Sequence, residues 1–251
     1  MLRPRISPIL LLTGSGSVKT KKFQRYKYLG DIINNIKIFN ELGVDELAIY
    51  NFDIYRDSQE LVNLDFEFLK KISREASMPL TYGGGVDTAE KAKNLVDIGF
   101  EKISICTQAF NEALIDKLSD QVGMQSIVLN FDYRSRLLGK RTFFGSAGQI
   151  KFSQTLKFII DYVNKIKPGE VSFQSITNEG LKVGFDYDLI VKCKEDLKVP
   201  RRYSGGCSSV DDIKKASDLD GLASFSCSNL FTLHGKYDAV LLSYQKPYGW
   251  L

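Results

Sequence analysis

Tyr82-Gly83-Gly84-Gly85-Val86-Asp87-Thr88-Ala89-Glu90-Lys91 returns 121 positions later as Tyr203-Ser204-Gly205-Gly206-Cys207-Ser208-Ser209-Val210-Asp211-Asp212. Each copy runs from a short apolar strand through a glycine turn into a charged helix. Such a turn exposes backbone N–H groups at a helix start, where a phosphate can sit. The offset is close to half of the 251 residues. A repeat of that length implies two similar halves, and two such turns imply a ligand with a phosphate at each end.

Working outward, short apolar runs alternate with helix-period segments, the pattern of βα units around a parallel sheet. Candidate strands are 6–12, 46–51, 80–82, 102–106, 126–132, 170–175, 200–204 and 222–227. Amphipathic stretches at 32–42, 64–76, 89–98, 113–122, 156–166 and 187–197 lie between them. Eight strands in a chain of this length predict one (βα)8 barrel, of the TIM type, over residues 1–251, built from two half-barrels, with the active site on the loops after the strands. A doubly wound open sheet is the alternative, and the half-chain repeat favours closure.

The composition, 43% hydrophobic and 25% charged, is that of an ordinary globular protein, and the net charge of +4 is not gathered into a basic tail. It suits an anionic ligand and argues against nucleic acid. Cys106, Cys193, Cys207 and Cys227 show no metal-type spacing and His234 is the single histidine, so neither a metal nor a disulfide framework is expected. No cofactor is implied. The apolar run Ile9-Leu10-Leu11-Leu12 is too short for a signal or membrane segment, and a cytoplasmic location is expected.

Asp132 closes the fifth strand and would face the catalytic mouth as a general acid or base; a loop-capping Asp is the bland alternative. Leu11 lies 121 residues before it and should be its equivalent in the other half. Gly84, Gly85 and Thr107 form one candidate phosphate set, and Gly180, Gly205, Gly206, Ser228 and Asn229 the other. Turn glycines and helix caps explain each of these singly. Arg201-Arg202 conflicts with a barrel strand, since alternation turns one of them inward. Either the strand starts later, interior acids pair with it, or it binds a specific anionic ligand. Cys207 as a nucleophile lacks a nearby histidine.

Together these residues resemble the cyclase subunit of imidazole glycerol phosphate synthase, the HisF family. Arg5-Ile6, Val18-Lys19, Gly43-Val44-Asp45-Glu46-Leu47, Lys102-Ile103-Ser104, Phe131-Asp132 and Gly184-Phe185-Asp186 carry the likeness alongside the glycine turns. The resemblance implies two phosphate sites and a HisH-like glutaminase partner docked under the barrel, feeding ammonia through its centre. It also implies an acid–base pair of aspartates at strands one and five. The family's charged gate is matched by Arg5, Glu46, Lys102 and Glu170; a purely structural ion cluster is the alternative.

The mouth departs from the pattern. Leu11 replaces the first aspartate, Asn51 and Glu179 stand where the family has Asp, and Cys106 replaces an Asn. That split resembles HisF paralogues of surface-polysaccharide gene clusters, which implies ammonia delivery for amidino-sugar synthesis and a sugar amidotransferase as a further partner. An active cyclase of histidine biosynthesis, with Glu179 as substitute acid, and a non-catalytic glutaminase-activating scaffold are the competing readings.

Overall fold

A computed structural model describes residues 4–55, 64–136 and 139–250. In chain order its strands are β1 (Ile6–Thr13), β2 (Gly16–Thr20), β3 (Tyr26–Asp31), β4 (Leu47–Asn51), β5 (Leu80–Gly83), β6 (Lys102–Ile105) and β7 (Ile127–Ser135). They continue with β8 (Arg141–Gly145), β9 (Ile150–Lys151), β10 (Glu170–Ser175), β11 (Arg201–Ser204), β12 (Ser224–Cys227), β13 (Leu233–His234) and β14 (Ala239–Val240). The helices are α1 (Ile32–Glu41), α2 (Phe66–Glu75), α3 (Ala89–Asp97), α4 (Glu112–Val122), α5 (Leu156–Ile166), α6 (Tyr187–Asp196), α7 (Val210–Leu219) and α8 (Asn229–Thr232).

Strands β1, β4, β5, β6, β7, β10, β11 and β12 pair in parallel, and β12 returns to β1, closing the (βα)8 barrel. All eight expected strands are present; the open sheet is excluded by that last pairing.

Period-two alternation sorts the strand side chains. Phe131, Phe173, Tyr203 and Phe225, on neighbouring strands β7, β10, β11 and β12, turn outward. Their rings succeed one another at 6.0, 6.3 and 6.3 Å under the helices. Each is almost wholly buried, which contributes roughly 1.5–3 kcal/mol per side chain. The opposite parity faces the lumen and is mostly polar, with Val128 as an apolar exception: Asn130 and Asp132, Glu170 and Gln174, Arg202 and Ser204, Ser224 and Ser226.

Sequence patterning missed the antiparallel excursions. β1 runs on into the β2–β3 hairpin, and its counterpart β7 runs on into β8 and β9. Their short, polar strands carry little alternation. Leu11 pairs with Val18 in β2 and Tyr50 in β4; Asp132 pairs with Phe144 in β8 and Gln174 in β10. The two positions are therefore equivalent in register, as the 121-residue offset predicts.

The helices after the repeated turns start on hydroxyl caps. Thr88 accepts from Lys91 N at 3.2 Å, and Ser209 accepts from Asp212 N at 3.2 Å in a reciprocal capping box.

Candidate functional site

At the N-terminal end of the strands, Arg5 reaches Glu46 at 3.1 Å and Glu170 at 3.0 Å, and Lys102 reaches Glu170 at 2.9 Å. The four residues singled out in the sequence thus form one cluster across the barrel floor. A fifth joins them. Arg202 is fully buried, and its Nη2 donates to Glu46 Oε1 and Glu170 Oε2, both at 2.8 Å. Burial alone would raise the Glu170 carboxyl; Arg202, Lys102 and Arg5 together pull it down to about 2.

The arginine pair is thereby resolved. The strand does begin at Arg201, so a later start is excluded. Arg201 turns outward into a bidentate pair with the buried Asp220, and Arg202 turns inward to the glutamates. Interior acids were one of three readings for this dipeptide; the equivalent position in the other half, Thr81, gave no hint of a charge there.

At the opposite end the loops line an open pocket whose walls include Leu11, Lys19, Tyr50, Cys106, Asp132 and Glu179. Asp132 is buried, with Oδ1 accepting from Asn130 Nδ2 at 2.8 Å and Oδ2 from the Cys106 thiol at 3.6 Å. Burial lifts its carboxyl to about 6, against the pull of those two hydrogen bonds. Such a group exchanges protons near neutrality, the range useful for acid–base work. Burial also pushes the Cys106 thiol well up, so it stays a neutral donor. Leu11 lines the same wall and offers no proton.

Lys19 and Glu179 form a buried ion pair that joins β2 to the loop after β10, and burial draws the Lys19 ammonium down to about 7. Gln174 Nε2 donates to Glu179 Oε2 at 2.8 Å. Gln174 and Asn130 are recoverable from the sequence only once the inward parity of Glu170 and Asp132 is fixed.

A smaller, tight pocket adjoins the mouth, sharing Ile9, Lys19, Glu179 and Ser228 with it. It gathers the second candidate phosphate set: Gly180, Gly205, Gly206, Ser228 and Asn229 all line it. Gly205 and Gly206 have φ of 94° and 99°, and a Cβ on Gly206 would fall 2.1 Å from Gly184 O. Around this space the buried Ser226 Oγ, Ser228 Oγ and Asn229 Oδ1 have no protein partner. Buried polar atoms are rarely left so, and here they face a space an oxygen-rich ligand would fill.

The first set is arranged differently. Gly84, at φ 104°, lines the mouth, whereas Gly85 packs under Ile54 and Leu64. The Thr107 hydroxyl accepts from Ser146 N at 2.9 Å, tying it to the turn after β8. Thr107 is not brought into the pocket wall with Gly84.

Among the described residues no cluster of three His, Cys, Asp or Glu side chains is placed to hold a metal ion, and no helix is long and apolar enough to cross a membrane.

The sequence matches the family described as "Histidine biosynthesis protein" over residues 5–230. A Vibrio vulnificus protein named as imidazole glycerol phosphate synthase subunit hisF3 is 39% identical over 98% of this chain and 95% of its own length. A Pseudomonas aeruginosa protein named as subunit hisF2 is 36% identical over 97% and 96%. The imidazole glycerol phosphate synthase subunit HisF of Blochmanniella floridana is 27% identical over 88% of each chain. With its closed barrel, repeated glycine turns and Asp132 in the mouth, the chain belongs to the histidine-biosynthesis protein family, as a HisF-type subunit.

Proposed function

We propose that this chain takes ammonia from a HisH-like glutaminase partner at the barrel floor and conducts it to the mouth, with the cyclisation chemistry of the family weakened or lost. The observation that carries the reading is the register equivalence of Leu11 and Asp132. One member of an acid–base pair is missing where its partner is buried and tuned toward neutrality. Removing one proton-transfer group typically costs ~10²–10⁴-fold in rate. The polar lumen and charged floor support passage of a small neutral molecule. The glycine turns, with Gly84 in the mouth and Gly205 and Gly206 beside it, support a phosphorylated ligand; Gly85, Thr107, Gly180, Ser228 and Asn229 complete the two proposed sets.

The ammonia then serves amidino-sugar synthesis for a surface polysaccharide, through a sugar amidotransferase. In support, two relatives with numbered HisF names, those of Vibrio vulnificus and Pseudomonas aeruginosa, share 39% and 36% identity, against 27% for the Blochmanniella floridana HisF subunit.

A second reading is a working cyclase in which Glu179 supplies the missing acid; its place in the mouth wall favours it, and its ion pair with Lys19 opposes it. An ammonia-dependent cyclase assay on the purified chain and on Leu11→Asp separates the two. We expect little turnover from the unmodified chain and a gain from the variant; robust turnover without the substitution overturns the proposal. With the glutaminase bound, Arg5→Ala should release ammonia to solvent instead of to the acceptor. Unchanged coupling would reduce the floor cluster to a structural role, and delivery that bypasses the barrel would leave only a scaffold.

A further inference from the structure

Three segments that the topology brings to the mouth end carry an unusual charge. Residues 21–28 of the β2–β3 hairpin, 181–183 after β10 and 235–241 around the β13–β14 turn contain Lys21, Lys22, Arg25, Lys27, Lys182 and Lys236, and a single acid, Asp238. Their net charge of five positive units exceeds the +4 of the whole chain, so the rest of the molecule is slightly acidic.

The segments form one continuous rim. The Asp238 carboxylate takes Lys21 at 3.3 Å and Lys182 at 2.7 Å, and its carbonyl accepts from Lys27. Lys22 N donates to Glu179 O at 3.0 Å, joining the hairpin to the loop after β10. Between the cations stand Tyr28, Val183 and Tyr237, which are 59%, 60% and 85% exposed.

We infer that this rim is the docking surface for the acidic face of a protein, the enzyme that consumes the ammonia leaving the mouth. The inference rests on the conduit reading above. Ammonia that escapes into water at neutral pH is protonated and loses the lone pair it reacts through, so the hand-over needs a junction closed to solvent. A rim of exposed cations and tyrosines around the outlet supplies both parts of such a junction. The charges steer an acidic partner into register, and the exposed rings give apolar contact area once it is seated. Phe23 of the hairpin reaches the mouth pocket, but the cations and exposed tyrosines of the rim stand outside it, which disfavours a small ligand, since those need concave sites.

The test uses the complete chain with its glutaminase bound. A photo-crosslinking phenylalanine is placed at Tyr237 and, at the floor end, at Leu222, which precedes β12 and is 73% exposed. The protein joined to position 237 in cells is identified and purified, and its affinity is measured with Lys22→Glu, Arg25→Glu and Lys236→Glu combined. No Asp238 ion pair involves these three side chains, so the rim stays assembled. We expect affinity to fall at least ~10-fold and to weaken with salt, with glutamine hydrolysis unchanged.

The inference is overturned if no adduct forms at 237, or if the purified partner binds the triple variant as well as the parent. It is also overturned if the rim instead binds phosphatidylserine vesicles and the purified protein does not bind. The two proposals fail separately. Arg5→Ala should leave docking intact, and a docked partner aminated without the barrel would sink the conduit while leaving the surface standing.

Discussion

The two ends of this barrel handle buried charge in opposite ways. At the floor, Glu170 is fully buried yet held down to about 2 by Arg202, Lys102 and Arg5. At the mouth, Asp132 is buried with only an amide and a thiol against it, and rises to about 6. One carboxylate is fixed in its ionised form by the cations around it; the other is free to change protonation. The difference lies in what faces each acid across the lumen, since both sit on inward parity positions of neighbouring strands, β10 and β7.

The strongest way to break the comparison is to strip the floor of its deepest cation. Arg202→Ala leaves Glu46 and Glu170 short of a partner at full burial, and the expected loss is about 3–5 kcal/mol by urea unfolding. Arg202→Met, which fills the space without the charge, should lose less, because it leaves no cavity at full burial. Equal losses would mean that the charge, and not the filled space, accounts for this residue.

The pH dependence of stability sharpens the same contrast, with opposite signs. The Glu170 carboxyl lies below its ordinary 4.5, so its contribution is complete above that pH and is lost as pH falls toward 2. The Asp132 carboxyl lies above its ordinary 3.8, so its cost is absent below about pH 4 and grows as pH rises through 6. Each shift of two pH units or slightly more corresponds to about 3 kcal/mol. Asp132→Asn should therefore stabilise the protein at pH 8 and leave it unchanged near pH 3.5. Unfolding midpoints across this range check it; an Asn variant that is weaker at pH 8 would deny the tuning of the mouth acid.

The smallest expected effect separates the two glycine turns. Gly206→Ala sets a methyl against Gly184 O at 2.1 Å, at a φ of 99°, and should cost about 2–3 kcal/mol along with affinity for inorganic phosphate. Gly84→Ala meets Asn51 O at 3.0 Å, so its cost should be nearer 1 kcal/mol. Calorimetry and phosphate titration of both variants would show whether the halves still bind alike.

Much of this was legible beforehand. The repeat at Tyr82 and Tyr203 placed the half-barrels, because a glycine turn between strand and helix leaves a mark in one short stretch of chain. The floor quartet was legible through its family likeness. Arg202 was visible only as a conflict, since the acids that resolve it lie 156 and 32 residues away along the chain. The β2–β3 hairpin was not legible: its stability comes from pairing with β1 and not from its own pattern. The contact between the Thr107 hydroxyl and Ser146 N was not legible either, because Ser146 belongs to a turn no local signal predicts.

The serines of the lumen have a consequence for how this protein can change. Ser172, Ser224 and Ser226 stand, fully or nearly buried, where packed barrels of this type place bulky branched residues. Replacing them with valine or isoleucine would recover apolar packing that the native chain forgoes. Selection for thermal robustness alone would therefore push this sequence toward a solid interior. On the proposed conduit reading, the packing these serines forgo is what keeps the interior open, at the expense of stability.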